Sequence, residues 1–210
     1  MYLPKQFDHR DPAIAQRVMR EHPLAFIVSV GEDGFPVLSH IPLHWQPTSL
    51  WEDAQVSDHG VLLGHCARAN PQAQLLATHA HALVSFMGPH AYLSPQVYPD
   101  LARVPTWNYL AVSCKVSARL IDDAQDKDAL LKKLIGDHEP AYAAQWRNLG
   151  EDFAHKMLAG IVAFELTVTS MDCKLKLNQH RPESHAAMHA MYAQGDDDQR
   201  ALARWMGQLG

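Results

Sequence analysis

Apolar positions along this chain keep two rhythms, one of three to four residues and one of two. The first rhythm opens the chain, where Ile14, Val18 and Met19 recur at helical spacing behind Asp11-Pro12. Aspartate is a good N-cap, and proline sits well at the first helical position. The helix this predicts ends at Glu21, because His22 precedes Pro23 and a residue before proline avoids helical backbone. The second rhythm follows. Ala25 to Val30 is rich in β-branched and aromatic residues and predicts a strand. Gly31-Glu32-Asp33-Gly34 is a hairpin signal, and Pro36 to His44 is the returning strand. The polar, proline-bearing stretch 46–59 predicts a loop, and Val61 to His65 a further short strand.

Asn70-Pro71 repeats the cap-plus-proline device ahead of Ala73, Leu75, Leu76 and Ala77. Ala82 to Met87 predicts a strand broken by Gly88-Pro89, and Ala91 to Ser94 resumes it before Pro95. Trp107 to Ile121 predicts one long strand, or two joined at a kink. Asp122 or Asp123 caps a helix that runs through Leu130, Leu131, Leu134 and Ile135 to Gly136. A second helix is expected over Asp152 to Leu158, and Gly160 to Thr169 is a strong strand. From about Glu183 to Leu209 the pattern is polar and helical, with an acidic break at Asp196-Asp197-Asp198.

The sum is six or seven short strands with helices between them. Strict alternation of strand and helix is absent, which argues against a doubly wound parallel sheet. The expected class is mainly β with peripheral helices (α+β), an antiparallel barrel. No internal repeat or linker stands out, so a single domain over 1–210 with a helical tail from about 183 is expected.

Composition narrows this further. Apolar residues are 47% and charged residues 20%, which excludes a disordered or low-complexity chain. The net charge of −5 lacks the basic footprint of a stand-alone nucleic-acid binder, so direct DNA contact is not expected. Cys66, Cys114 and Cys173 are odd in number and form no CxxC, so reduced buried thiols are expected. The first residues hold no apolar signal core, and no run of 18 apolar residues occurs. A cytoplasmic protein with no membrane span is the expectation.

Several chemistries drop out. There is no GxGxxG, no GxxxxGK[ST], no GxSxG and no HExxH. His79 with His81, or His185 with His189, could chelate a metal, but no ligand at characteristic spacing completes either pair, although Glu183 is near the second. No metal is expected.

Four segments carry more than packing. Gly64-His65-Cys66-Ala67-Arg68-Ala69-Asn70-Pro71-Gln72 ends a strand and opens a helix with an arginine beside the cap. That pairing favours an anion, although a capped turn with a surface arginine reads the same way. Gly88-Pro89-His90-Ala91-Tyr92-Leu93-Ser94-Pro95 pins a short extended stretch that displays Tyr92 and Ser94. Thr106-Trp107-Asn108-Tyr109, behind Val104-Pro105, puts polar and stacking groups on both faces of a strand start. Lys174-Leu175-Lys176-Leu177-Asn178-Gln179-His180-Arg181-Pro182 alternates so as to expose Lys174 and Lys176 on one face. Such lysines could meet a phosphate or an electron-rich ring, or simply blunt an edge strand.

In combination, MYLPKQF, HCARANPQ, GPHAYLSPQVYP, VPTWNY and KLKLNQHRP resemble the PaiB family, in order from Met1 to about Pro182. Its members are described as FMN-binding negative transcriptional regulators. Their fold is the antiparallel, Greek-key FMN-binding split β-barrel of the pyridoxamine-phosphate-oxidase-like superfamily. The resemblance implies a homodimer with FMN at the subunit interface. It implies phosphate contacts around His65, Arg68, Asn70 and Gln72. Ring contacts fall among Tyr92, Ser94, Thr106, Trp107, Asn108 and Tyr109. Lys176 and Gln179 would face the electron-rich end of the ring or the phosphate, with the segment from Lys176 to His180 contributed by the partner. A cation there raises a flavin's reduction potential. The family's closing motif typically reads KLSQNRP, so Asn178 and His180 are departures, and the stretch from Tyr98 to Val104 is shorter than usual. Two functions follow from the resemblance. One is an FMN-dependent oxidoreductase of the flavin-reductase kind, with NAD(P)H an expected donor and no side chain marked as a dedicated acid or base. The other is a flavin-binding regulator without enzyme activity.

Overall fold

The computed structural model describes residues 1–100, 102–148, 150 and 156–209. Seven strands form one sheet in the order β2-β1-β5-β6-β7-β4-β3. They are β1 (Leu24–Val30), β2 (Pro36–Pro42), β3 (His44–Gln46), β4 (Val61–Ala67), β5 (His81–Leu93), β6 (Thr106–Ile121) and β7 (Ile161–Lys176). The helices are α1 (Pro12–Glu21), α2 (Pro71–Thr78), α3 (Ala124–His138), α4 (Tyr142–Arg147), α5 (His185–Ala193) and α6 (Asp197–Leu209). The class is the expected one, mainly β with peripheral helices. The sheet is antiparallel with β2 and β3 as its open edges, so it is a split barrel and not a closed one.

The chain divides into two compact units. Unit 1 holds Met1–His22, Phe86–Ser113 and Asp172–Gly210; unit 2 holds Pro23–Ser85 and Cys114–Met171.

In unit 2 the Gly31–Gly34 turn closes the β1–β2 hairpin in the register Val30↔Pro36 to Leu24↔Pro42. The returning strand is shorter than expected, because Leu43 turns inward, fully buried, and gives its N–H to the Pro23 carbonyl. His44 then starts β3 against β4. β4 pairs with β7 over seven residues, from Val61↔Thr167 to Ala67↔Ile161. Val61, Leu63, Ile121, Leu130, Leu134 and Ala163 form one core cluster, with Trp51 and Leu131 packed on its margin. Asp123 caps α3 by accepting from Gln125 N and Asp126 N. The helix expected from Asp152 lies largely outside the described residues; 156–159 are helical.

Gly60, just ahead of β4, is in left-handed backbone at φ +77°, and a Cβ added there would run into the Gln46 carbonyl and the Trp45 ring. Gly60→Ala is therefore expected to cost about 2 kcal/mol in urea unfolding. An unchanged midpoint would mean the turn relaxes without strain.

In unit 1, α1 is capped as its sequence requires, with Asp11 accepting from Ala13 N, and it buries Ala15, Val18 and Met19. The Arg17 guanidinium lies 3.9 Å from the centroid of Trp205 in α6. The acidic break starts α6 by a reciprocal capping box: Gln199 N donates to Asp196 Oδ1 and Asp196 N donates to Gln199 Oε1, at 2.9 and 3.0 Å. Met188, Tyr192, Leu202 and Trp205 are buried, so the C-terminal helices are part of the core of this unit.

β5 runs unbroken through Gly88-Pro89, against expectation. Its burial alternation changes phase there. Outward positions are odd up to Met87 and even from His90 onward, with Gly88 and Pro89 both buried. The two consecutive buried positions shift the alternation by one, and a strand tolerates a proline's missing donor at such an irregularity. At 88 a Cβ would lie 3.0 Å from the Leu110 Cβ, so a larger residue there would need β6 to give way slightly. β7 also outruns its expected end at Thr169, reaching Lys176, and β6 is one strand of 16 residues.

Among the described residues no helix is long and apolar enough to cross a membrane. The three cysteines are free and buried, and burial pushes the Cys173 thiol up to about 12.

Candidate functional site

The twelve residues singled out from sequence fall four in unit 2 and eight in unit 1.

In unit 2 they follow β4 into α2. Asn70 caps α2, its Oδ1 accepting from Gln72 N at 2.9 Å and from Ser39 Oγ at 3.3 Å. Pro71 has no N–H, and Ala73 N donates to the Asn70 carbonyl. The first amides of α2 are thus absent or already used. Gln72 is fully buried; its Nε2 donates to Ser29 Oγ at 2.7 Å and its Oε1 has no protein partner. His65 is half-buried, with Nδ1 unpartnered, and burial lowers its pKa, so it stands neutral near pH 7. Arg68 is exposed, but its Nε and Nη2 donate to the Ala159 and Ile161 carbonyls at 2.9 and 3.1 Å. Two of its nitrogens staple the start of β7, and Nη1 is what remains for a ligand.

In unit 1 the start of β6 and the ends of β5 and β7 supply a second group. Trp107 and Tyr92 are about half exposed, at 52% and 47%. Their rings meet edge to face at 6.4 Å, and His90 lies beside Trp107 in near-parallel planes at 6.0 Å. Lys176 Nζ donates to Thr106 Oγ1 at 2.6 Å and lies 5.8 Å from the centroid of Tyr109. Its pKa is lowered, chiefly by burial. The group is a partly desolvated cation at the end of β7, with exposed rings at the end of β5 and the start of β6.

The remaining residues of this set are partly or wholly committed within the chain. Asn108 is fully buried, with its Nδ2 on the Met188 sulfur and its Oδ1 without a partner. Ser94 caps a 3-10 turn by accepting from Gln96 N. Gln179 folds back on its own strand, Nε2 to the Leu175 carbonyl and Oε1 from Leu177 N.

Two features escaped the sequence reading. Lys174, expected on an exposed face, is buried at 7%. Its Nζ donates to the Tyr2 carbonyl at 3.0 Å and sits 5.3 Å from the Tyr109 centroid. No local signal announces that, because Tyr2 is 172 residues away. Asn178 takes φ +61°, a left-handed conformation that asparagine tolerates. Its Nδ2 donates to Tyr98 Oη at 2.9 Å and Ser184 Oγ at 3.1 Å, so this departure from the family motif has a structural use. His180, the other departure, meets the Phe7 ring edge-on at 5.4 Å.

Unit 2 also holds a histidine pair outside the singled-out set. His44 Nε2 and His138 Nε2 are 3.0 Å apart, and His44 Nδ1 is 3.6 Å from Asp137 Oδ2. Burial, then the neighbouring His138, lowers the His44 pKa to about 4.

An FMN would need a cation for its electron-rich end and a flat surface for its ring, and unit 1 supplies both. In unit 2, Gln72 Oε1 and His65 Nδ1 are buried without a hydrogen-bond partner. The residues present therefore fit the group in kind.

Residues 1–170 match the family described as "Putative FMN-binding domain". The chain is 30% identical over 187 residues to the protein "Protease synthase and sporulation protein PAI 2" of Bacillus subtilis, covering 88% of this chain and 84% of that one. Among solved structures it resembles the FAD and heme binding protein from Mycobacterium smegmatis. The TM-score is 0.61 at 20% identity, over 80% of this chain and 73% of that one. It also resembles the flavocytochrome Anf3 from Azotobacter vinelandii, with a TM-score of 0.59 at 15% identity over 81% and 69%. At those identities the likeness is one of fold.

Proposed function

This chain belongs to the PaiB family of FMN-binding split barrels, and from that premise we propose that it is an FMN-dependent oxidoreductase of the flavin-reductase kind, working as a homodimer. Its cofactor is FMN. Bound FMN supplies two-electron transfer between a hydride donor, such as NAD(P)H, and an acceptor.

The observation that carries the reading is Lys176. Its ammonium is partly desolvated, held by Thr106 Oγ1 at 2.6 Å, on strand ends that also expose Trp107 and Tyr92. A fixed cation in such a place favours the more negative form of a ring set against it, which is the reduced one. Trp107 and Tyr92 offer stacking surface for the ring. Thr106 orients the ammonium and is a positioning residue.

The test is anaerobic mixing of the FMN-loaded protein with NADH and, separately, with NADPH. Bleaching of the flavin band with either donor is expected. If neither bleaches it, the oxidoreductase reading falls and a flavin-binding regulator takes its place.

The homodimer rests on one face of the β2-β1-β5 part of the sheet. Leu24, Val30, Leu38 and Leu83 stand there 57%, 61%, 51% and 42% exposed. An apolar face of that extent marks an interface. Leu38→Glu is expected to shift the mass by sedimentation from dimer to monomer; a wild-type monomer would remove the dimer from the reading.

A further inference from the structure

His44, at the start of β3, and His138, the last residue of α3, are 94 positions apart in the chain, yet their Nε2 atoms lie 3.0 Å from each other. The ring centroids are 4.4 Å apart at 80°, so the rings meet bent rather than head-on. An imidazole nitrogen sits about 2.0–2.1 Å from a zinc-sized ion. Two of them on one ion are then about 2.9 Å apart at a right angle and about 3.3 Å apart at the tetrahedral angle. The observed spacing falls in that range, and two ligands of a single ion also meet bent. The far side of His44 is prepared as well. Its Nδ1 faces Asp137 Oδ2 at 3.6 Å. That carboxylate is itself held, by Lys133 Nζ on Oδ1 at 2.8 Å and by Gln46 Nε2 on Oδ2 at 3.4 Å. A carboxylate there draws the ring hydrogen to Nδ1 and leaves Nε2 its lone pair, the arrangement that orients metal-binding histidines. His44 is buried but His138 is exposed, so the pair is reached from solvent on the helix side.

We propose that His44 and His138 form a binding site for a late first-row divalent ion of the zinc, nickel and copper class, with Asp137 as its positioning residue. Imidazole ligands select these ions over magnesium and calcium, which prefer oxygen. Among the described residues no third histidine, cysteine or carboxylate joins the pair, so the remaining positions fall to water or a small outside ligand. The ion ties the end of α3 to a three-residue strand at the open edge of the sheet. Without it, the two rings share a hydrogen bond. The proposal does not rest on the oxidoreductase reading.

The test is calorimetric titration of the metal-stripped, FMN-loaded full chain with nickel chloride, and with magnesium chloride as the control. Ni²⁺ is expected to bind and Mg²⁺ is not. His138→Asn should weaken Ni²⁺ binding at least about tenfold, because a second arm on the same chain acts at high effective concentration. Asp137→Asn keeps both ligands and should weaken it by about 10- to 100-fold, the usual worth of an outer-shell partner. His189→Asn removes an exposed histidine of unit 1 and should change nothing. Ni²⁺ should also raise the unfolding temperature of the wild type, by binding the native pair alone, and leave that of His138→Asn in place. His138 and Asp137 both lie at the exposed end of α3, and the second variant guards against a misfolded first. The proposal is overturned if His138→Asn binds Ni²⁺ as the wild type does, or if Asp137→Asn does. It is equally overturned if the loss follows His189→Asn instead, which would mean chelation by scattered surface histidines, or if Mg²⁺ binds as tightly as Ni²⁺.

Discussion

Lys176→Met is expected to weaken FMN binding by roughly ten- to a hundredfold, the worth of a charge-assisted hydrogen bond of about 1.5–3 kcal/mol. The same change should lower the midpoint potential of whatever flavin still binds, because the cation that favours the reduced form is gone. Methionine keeps the length of the stem, so the loss reports the charge, including the ammonium's approach to the Tyr109 ring at 5.8 Å. Thr106→Val is the companion variant. It keeps the charge but removes the oxygen that holds it at 2.6 Å, so it should shift the potential the same way by less. Fluorescence quenching of titrated FMN and a dye-equilibrated potential measure the two effects. If affinity and potential both stay at wild-type values in Lys176→Met, Lys176 has no part in the flavin site.

The second large effect is a loss of stability in acid, centred on His44. Unfolded, this histidine takes its proton near pH 6.5; folded, only near 4. Between those values the unfolded chain holds more protons than the native one, so stability falls as pH falls. The contribution is fully present above pH 6.5 and is lost by about pH 4, and a gap of that size corresponds to roughly 3 kcal/mol. The geometry explains why. The 3.0 Å contact between His44 Nε2 and His138 Nε2 needs one ring to donate and the other to accept, so the two rings cannot both be protonated. A proton on His44 charges a buried ring, which is the larger cost. His22 and His65 are also lowered, chiefly by burial, and add to the slope with the same sign. Urea midpoints between pH 7 and 4 measure the sum. His44→Gln should flatten the curve; an unchanged slope would place the acid sensitivity elsewhere.

The fold was legible wherever a local device fixed it. Asp11-Pro12 and Asn70-Pro71 announced α1 and α2, and each cap makes the expected bond to the amide two residues on. Gly31–Gly34 announced the first hairpin. What sequence could not show depends on partners far along the chain. Gly88-Pro89 breaks an isolated strand, but here β6 packs closely against the glycine and the strand continues. The end of β7 reads as an exposed basic edge until the N-terminal residues close on Lys174.

The candidate site divides along the same line. Residue types gave its members, because polar and aromatic groups in short succession at strand ends are poor core material. They did not give the commitments of those side chains. Asn70, Ser94 and Gln179 each satisfy their own backbone within a few residues. Arg68 looked like a free guanidinium, yet it clamps carbonyls more than 90 residues away in the chain. Side-chain hydrogen bonds to backbone use up many groups that a linear reading counts as available.

The phase change in β5 decides what this strand shows to a ligand. Counting from its start, an uninterrupted alternation would turn His90 and Tyr92 inward and present Ala91 and Leu93. One additional buried residue at Gly88-Pro89 reverses that count, and the rings flanking Trp107 are displayed because of it. The spacing of this dipeptide is therefore under a stricter constraint than the identity of its neighbours. Exchanging one aromatic for another on this strand keeps its outward face, but a deletion of one residue would swap that whole face at once.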